Sequence, residues 1–270
     1  MKIVVIGGTG LIGTKVVNIL QQNGHQALAA TPATGVDTIS GKGLSEALEG
    51  AEVVVDVSNS PSFESDAAMA FFKTAGENIS AAEANAGVKH HVALSVVGTQ
   101  RLQDSGYFRA KLAQESKIKA SAIPYTLVRA TQFFEFIRGI AQSGTSGDTV
   151  RLSHAPFQPM AAQDVAAAVA CAALGAPVNG TLEVAGPEIL RLDEVIAKVL
   201  DADRDPRKVV TDSEAPYFGV RLNNPSLLPD GEARYGATTF GWWLVNVRRL
   251  PKDRLAKPVG AERWDPMGVC

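Results

Sequence analysis

The sequence predicts an α/β fold, a doubly wound parallel sheet with helices on both faces, followed by a smaller C-terminal part. Three observations carry this expectation. An apolar run, Ile3-Val4-Val5-Ile6, leads directly into Gly7-Gly8-Thr9-Gly10-Leu11-Ile12-Gly13. Strand-like and helix-like stretches then alternate as far as Leu200. Two internal strands, Glu52–Val57 and His91–Val97, are apolar on both faces, as strands covered by helices above and below must be. Such an order, with right-handed crossovers, opens a crevice at the carboxyl ends of the strands. The segments after Ile6, Val57, Val97 and Val128 are therefore expected to line one groove.

The first turn needs glycine because the backbone must reverse sharply and then let a ligand approach with no Cβ in the way. A helix from near Gly10 follows, with Leu11, Val16, Ile19 and Leu20 at helical spacing and a stop at Gly24. Its free amides and positive dipole end suit a pyrophosphate. The motif reads as Gly8-x-Gly10-x-x-Gly13 or as Gly7-x-x-Gly10-x-x-Gly13. Either reading predicts dinucleotide binding, with Gly7, Thr9, Gly10, Leu11, Ile12 and Gly13 as the cradle. No Gly-Lys-Ser/Thr closes the loop, which excludes a P-loop.

Ala27–Ala30 is the second strand, and Leu44–Leu48 a short helix closed by Gly50. Residues 66–86 form a long helix with Met69, Phe72, Ile79 and Ala82 on one side. A helix at Tyr107–Ala120, a strand at Tyr125–Arg129 and a helix at Ala162–Leu174 follow, then a strand at Thr181–Ala185 and a helix at Leu192–Leu200. The chain divides into a core, residues 1–155, and a C-terminal region, residues 156–270, which returns some elements to the core.

Two strand ends carry chemistry. Ser95 lies near the end of its strand, Tyr107 follows twelve residues later, and Lys111 four residues beyond that. Side chains four apart share a helix face, so the Lys111 ammonium is expected beside the Tyr107 phenol. An ammonium there draws the phenol down from its usual ~10 and makes it a usable acid–base group. Ser95 is placed to hold a substrate oxygen for the tyrosine proton.

Taken together these residues resemble the short-chain dehydrogenase/reductases, in their atypical, NmrA-like branch. The resemblance rests on Gly7-x-x-Gly10-x-x-Gly13, on Asp56-Val57-Ser58-Asn59, on Ser95, Tyr107 and Lys111, and on Pro124-Tyr125-Thr126-Leu127-Val128-Arg129. It covers most of residues 1–200. It implies a Rossmann-like domain that binds NAD(P), with Ser58 and Asn59 on the cofactor side and a C-terminal part closing over the substrate. It further implies reduction of a carbonyl, quinone or related small organic molecule. In that scheme Tyr107 is the proton donor, Ser95 orients the substrate, and Lys111 binds the nicotinamide ribose. Members of the branch that lack the tyrosine act as redox-sensing regulators. An NADP(H)-binding sensor without turnover is therefore the alternative, and retention of the three residues favours the enzyme.

An NAD-preferring site usually carries a carboxylate about 20 residues past the glycines. Here Thr31-Pro32-Ala33-Thr34 stands in that place, without an acid and without an arginine. Lys15 and Lys42 read as solvated lysines, and Asp37 serves only if the second strand lies later than drawn. The expected cofactor is NADP, with NAD possible, and Thr31 lies at its ribose. On the substrate side, Phe133, Phe134 and Phe136 cross the mouth of the crevice. Phe133 is expected to line an apolar wall together with Phe157, and Phe134 to pack in the core. Tyr217-Phe218-Gly219 with Trp242-Trp243 are open to a lid or a subunit contact, but aromatics at such spacing read as core, and they are assigned no role.

Composition excludes other classes. The 270 residues are 46% hydrophobic and 20% charged with a net charge of −2, which gives nucleic acid no footprint. His25, His90, His91 and His154 lack metal-ligand spacing, so no metal is expected. Two cysteines, Cys171 and Cys270, make no disulfide framework, and Cys171 reads as a small buried hydrophobe. No signal peptide is read in the first apolar run, and the longest apolar stretch, Val165–Leu174, is about half a membrane span. A cytoplasmic monomer or homodimer is expected, with a small-molecule substrate and no membrane or nucleic-acid partner. The basic tail (Arg248, Arg249, Lys252, Arg254, Lys257, Arg263) reads as solvated.

Overall fold

The computed structural model describes residues 1–246. The expectations for the basic tail and for Cys270 lie outside the described residues.

Buried β-branched residues build β1 (Lys2–Ile6), and the glycine turn carries the chain into α1 (Gly13–Gln22). The helix starts at Gly13, not near Gly10, because residues 7–12 are consumed in the turn. After β2 (Gln26–Ala30) come the short α2 (Leu44–Leu48), β3 (Val53–Asp56) and the long α3 (Ser65–Ala86). Next are β4 (His90–Val96), α4 (Gly106–Lys119) and β5 (Tyr125–Ala130). The chain continues through α5 (Ile137–Ser143), β6 (Thr145–Ser146), β7 (Thr149–Leu152) and β8 (Pro156–Phe157). The last part comprises α6 (Ala162–Leu174), β9 (Gly180–Ala185), β10 (Leu190–Arg191) and α7 (Leu192–Asp203), then β11 (Lys208–Thr211), β12 (Ala233–Tyr235) and α8 (Phe240–Asn246).

Seven parallel strands form the central sheet in the order β2-β1-β3-β4-β5-β9-β12. Alternate residues of β1 feed opposite cores. Ile3 and Val5 pack with Val16 and Leu20 of α1 and Val165 and Val169 of α6. Val4 and Ile6 pack with Leu44 and Leu48 of α2 and Ile79 of α3. This is the doubly wound Rossmann-like sheet, covered on both faces. Strand order reverses between β1 and β3, which fixes where a crevice opens.

The sheet draws β9, β12 and α6 from the C-terminal half of the chain. Two small sheets, β10-β8 and β11-β7-β6, stand apart with α5, α7 and α8 around a second apolar core. Phe134, Ile196, Phe240 and Trp243 belong to that core. Among the described residues no helix is long and apolar enough to cross a membrane.

Candidate active site

A cavity of about 1180 Å³ lies over the carboxyl ends of β1, β3, β4 and β5. The turn after β1 forms its floor. Gly7 sits at φ +78°, and a Cβ there would stand 2.9 Å from the Ser58 amide nitrogen, so this turn and the one after β3 meet with no room between them. Thr9, Gly10, Leu11 and Ile12 line the cavity beside Gly7. Gly13 does not. Its role is close packing, since a Cβ there would lie 2.2 Å from the Gly7 carbonyl oxygen and 2.6 Å from the Gly8 Cα. Gly13→Ala must lever α1 off the turn. The expected outcome is a lower melting temperature and a dinucleotide Kd raised at least about tenfold (~1.4 kcal/mol), measured by titration with NADPH.

Hydroxyls and a carboxylate line the cavity beside the glycine turn. The Thr9 and Thr31 hydroxyls lie 3.4 Å apart there. Asp37 joins the same wall although β2 ends at Ala30, because residues 31–36 fold back through a tight turn and a left-handed Gly35. Its carboxylate accepts from the Ile39 amide (2.9 Å) and the Ser40 hydroxyl (2.8 Å), and these bonds hold its pKa below the usual range.

The cavity also holds the expected catalytic residues, arranged differently from their sequence pattern. Tyr107 lines the cavity, and its hydroxyl donates to Asn59 Oδ1 at 3.0 Å. Burial pushes its pKa up to about 12 against the opposing Asn59 bond. The phenol is thus a held proton and not a phenolate, contrary to the lowered value expected from a neighbouring ammonium. Lys111 is 3% exposed and turned into the protein. Its ammonium donates to the Leu94 carbonyl (2.9 Å) and Gln114 Oε1 (2.5 Å) and lies 4.6 Å from the centre of the Phe72 ring. Gln114 in turn donates to Asp56 Oδ2 at 2.9 Å, while Ser58 gives Asp56 Oδ1 both its amide and its hydroxyl. The i, i+4 relation puts Tyr107 and Lys111 on one helix face, but the nearest acceptors for the ammonium lie on β4 and along its own helix.

Ser95 also departs from expectation. It lines the cavity, yet it is 5% exposed and its hydroxyl donates to Glu115 Oε1 at 2.7 Å. Arg129 clasps the same carboxylate through Nε (2.9 Å) and Nη2 (2.6 Å). A buried carboxylate takes every donor it can find, and the sequence did not mark Glu115 as one.

Lys111 makes a pH prediction. Burial drives its pKa down to about 8, with the Asp56 and Glu115 carboxylates opposing. The unfolded lysine titrates near ~10.4. Between these values the unfolded chain binds the extra proton, so stability contributed at this site rises with pH. The cost of the buried ammonium is full below about pH 8 and is lifted above it. Wild type is expected to gain stability relative to Lys111→Met between pH 7 and 9.5, measured by urea unfolding. A constant difference between the two across that window would overturn the assignment.

Beyond β5, Thr131 and Gln132 line the cavity with buried polar atoms that have no partner among the described residues: Thr131 Oγ1, and both Oε1 and Nε2 of Gln132. Leaving such groups unsatisfied costs roughly 1–3 kcal/mol each. A side-chain amide with one free donor and one free acceptor is matched by another carboxamide. The glycine cradle and this orphan amide both fit a nicotinamide dinucleotide. The sequence signal for Gln132 is a polar residue between an apolar strand and a phenylalanine run.

Of the phenylalanines, Phe133 lines the cavity and stacks on Phe136 at 5.4 Å, while Phe134 is buried against Phe240 and Trp243. Phe157 corrects the expectation. It is fully buried in β8, paired with Leu190 of β10 and bridged to Leu227, with its ring in the C-terminal core and away from the cavity. Phe63, Tyr217 and Phe218 do line the cavity, and none was assigned to it from sequence. Tertiary contact alone brings them there.

The fold and the cradle define a dinucleotide-binding α/β protein. A family model described as NAD(P)H-binding matches residues 7–177, more than half of the chain, and the chain belongs to that family. No curated protein matches it. Solved structures do, and they are short-chain dehydrogenase/reductase-type Rossmann proteins. One is a dTDP-4-dehydrorhamnose reductase from Clostridium acetobutylicum, 18% identical over 93% of this chain and 100% of that one, with a TM-score of 0.68. Another is a short-chain dehydrogenase/reductase superfamily protein from Agrobacterium tumefaciens with bound NAD, 17% identical over 90% and 95%, with a TM-score of 0.67. An NADPH-dependent quinone oxidoreductase from Escherichia coli is 21% identical over 79% and 78%, with a TM-score of 0.60. At these identities the likeness shows the fold.

Proposed function

We propose that this protein is an NAD(P)H-dependent oxidoreductase of the NmrA-like branch, reducing a carbonyl, quinone or related small uncharged molecule with Tyr107 as proton donor. It would act in the cytoplasm as a monomer or homodimer. The observation that carries the reading is a tyrosine hydroxyl held by Asn59 in the wall of a largely apolar cavity over the strand ends. Among the described residues Lys111 is the one Lys or Arg in the cavity wall, and its ammonium is tied to Leu94 and Gln114. The solved sugar-nucleotide enzymes share this fold without being a guide to its substrate.

The dinucleotide supplies the hydride when bound. Gly7, Thr9, Gly10, Leu11 and Ile12 would hold its pyrophosphate, Thr31 its ribose, and Gln132 with Thr131 its carboxamide. Asn59 holds the Tyr107 hydroxyl at the cavity wall, and that O–H would turn from Asn59 Oδ1 to the substrate oxygen and give it the proton as negative charge develops there. Phe133 and its aromatic neighbours exclude water from that oxygen, and this strengthens the proton donor's hydrogen bond. Ser95 contributes through Glu115 and the β4–α4 frame. Lys111 likewise fixes α4, and with it Tyr107, against β4.

Two features bear on the ribose end. The absence of an acid at residues 31–34 favours NADP, whereas Asp37, brought into the wall by the fold, repels a 2′-phosphate and favours NAD. Asp37→Asn is expected to lower the Kd for NADPH selectively, with NADH unchanged. A second reading, an NADP(H)-binding redox sensor without turnover, is favoured by one observation: Ser95 and Lys111 give their hydrogen bonds to Glu115, Leu94 and Gln114, none of them to Tyr107.

Oxidation of NADPH and NADH with a panel of quinones, aldehydes, ketones and one sugar nucleotide tests the reading. Turnover of the uncharged acceptors and none of the sugar nucleotide is expected. Cofactor binding without turnover of any acceptor would transfer the assignment to the sensor.

A further inference from the structure

We propose that Phe63 and Phe218 are the jaws of a clamp that admits a flat ring, so that the substrate is planar and aromatic or quinonoid in preference to aliphatic. The inference rests on the reductase reading and narrows it. Phe63 comes from the connection between β3 and α3, and Phe218 from the C-terminal half of the chain. Both line the cavity, and both are unusually open to solvent for phenylalanine, 59% and 41% exposed. Their rings face one another with centroids 6.2 Å apart and planes 25° from parallel. Phe63 also lies 5.0 Å from the Tyr107 ring, which places the gap beside the proton donor.

The backbone under Phe218 supports a ligand role. Tyr217 and Val220 exchange both backbone hydrogen bonds, at 2.7 and 3.1 Å, and close a two-residue turn over Phe218 and Gly219. Both central residues have positive φ, +47° at Phe218 and +85° at Gly219. Such a turn is made for Asn-Gly or Gly-Gly, and a bulky residue in its first place is strained. Folding alone would choose a small polar residue there, on grounds of backbone strain and of ring exposure together. Residues that break two local rules at once are expected where a ligand is met. A planar ring needs van der Waals contact of about 3.5 Å on each face, so about 7 Å between jaws. The jaws must part to that spacing to admit a flat ring, whereas a tetrahedral aliphatic group is thicker and needs more.

The test uses Phe63→Ala and Phe218→Asn; the second suits the turn and keeps the fold. Selectivity is read as the kcat/KM ratio of 1,4-naphthoquinone to octanal. Binding of 2-naphthol, a flat ring that accepts no hydride, is read by calorimetry with NADP⁺ present. Wild type is expected to favour the naphthoquinone at least about a hundredfold (~2.7 kcal/mol). Each variant is expected to cut that ratio at least about tenfold and to weaken 2-naphthol equally. Unchanged ratios and unchanged 2-naphthol binding in both variants would overturn the clamp. If no acceptor is reduced but 2-naphthol binds wild type and not the variants, the clamp stands and the reductase reading falls.

Discussion

Tyr107→Phe is expected to lower kcat by about 10²–10⁴-fold, the usual range for loss of a positioned general acid. The Kd for NADPH should stay within about twofold, because the lost hydroxyl touches Asn59 and not the glycine cradle. The fold should also survive, since one exposed hydrogen bond of about 0.5–1.5 kcal/mol at most is all that the change removes. The pH dependence distinguishes this role from a phenolate mechanism. With its pKa pushed up to about 12, Tyr107 remains a donor throughout the neutral and mildly alkaline range. The reductive rate should therefore show no alkaline loss attributable to Tyr107 below about pH 10, the ordinary phenol value. Full turnover in Tyr107→Phe would remove the tyrosine from the mechanism.

Glu115→Ala is expected to be among the most destabilising single changes in the protein. Glu115 is 1% exposed and accepts from Ser95 and from both donors of the Arg129 fork. Its pKa is lowered: burial alone would raise it, and the Arg129 and Ser95 hydrogen bonds more than offset that. Removing it leaves the Arg129 guanidinium buried with, among the described carboxylates, Glu183 at 3.8 Å as its remaining partner. Breaking a buried pair in this way costs about 3–5 kcal/mol. For a chain of this size that corresponds to a fall in Tm of roughly 10 °C. Replacing both partners, Glu115→Leu with Arg129→Met, should recover most of the loss, because an apolar pair leaves no orphan charge. Since the folded carboxyl holds its proton more weakly than the unfolded one, its contribution is full above about pH 4.3 and is lost on acidification. Thermal melts of the two variants at pH 7 decide the matter, and a shift under about 2 °C in Glu115→Ala would sink the argument.

Much of the fold can be read along the chain because its signals are local. The strand Ile3-Val4-Val5-Ile6 and the glycines after it appear in the structure as a buried strand and a turn, and helix Ala162–Leu174 has the bounds that its alanine and valine spacing gives. The exceptions have physical causes. Gly13 shares a motif with Gly7 but packs a helix where Gly7 faces the cavity, a distinction set by the space around each Cα. Phe157 and Phe133 both follow prolines or strand ends in apolar surroundings, and the pairing of β8 with β10 turns Phe157 inward.

The sequence by itself determined the class of this protein: a glycine turn after a buried strand, a repeating strand–helix order, and a tyrosine with a lysine one helical turn away. Those are short-range facts, fixed by backbone sterics and by periodicity. Which acceptor each donor chooses was decided only by the tertiary structure, because a buried charge pairs with whatever partner the packing brings within 3 Å or so. Thus Ser95 turns to Glu115, Lys111 to Leu94 and Gln114, and Tyr107 to Asn59. The same holds for the cavity rim, where Phe63 and Phe218 stand 155 positions apart in sequence and their rings 6.2 Å apart in space.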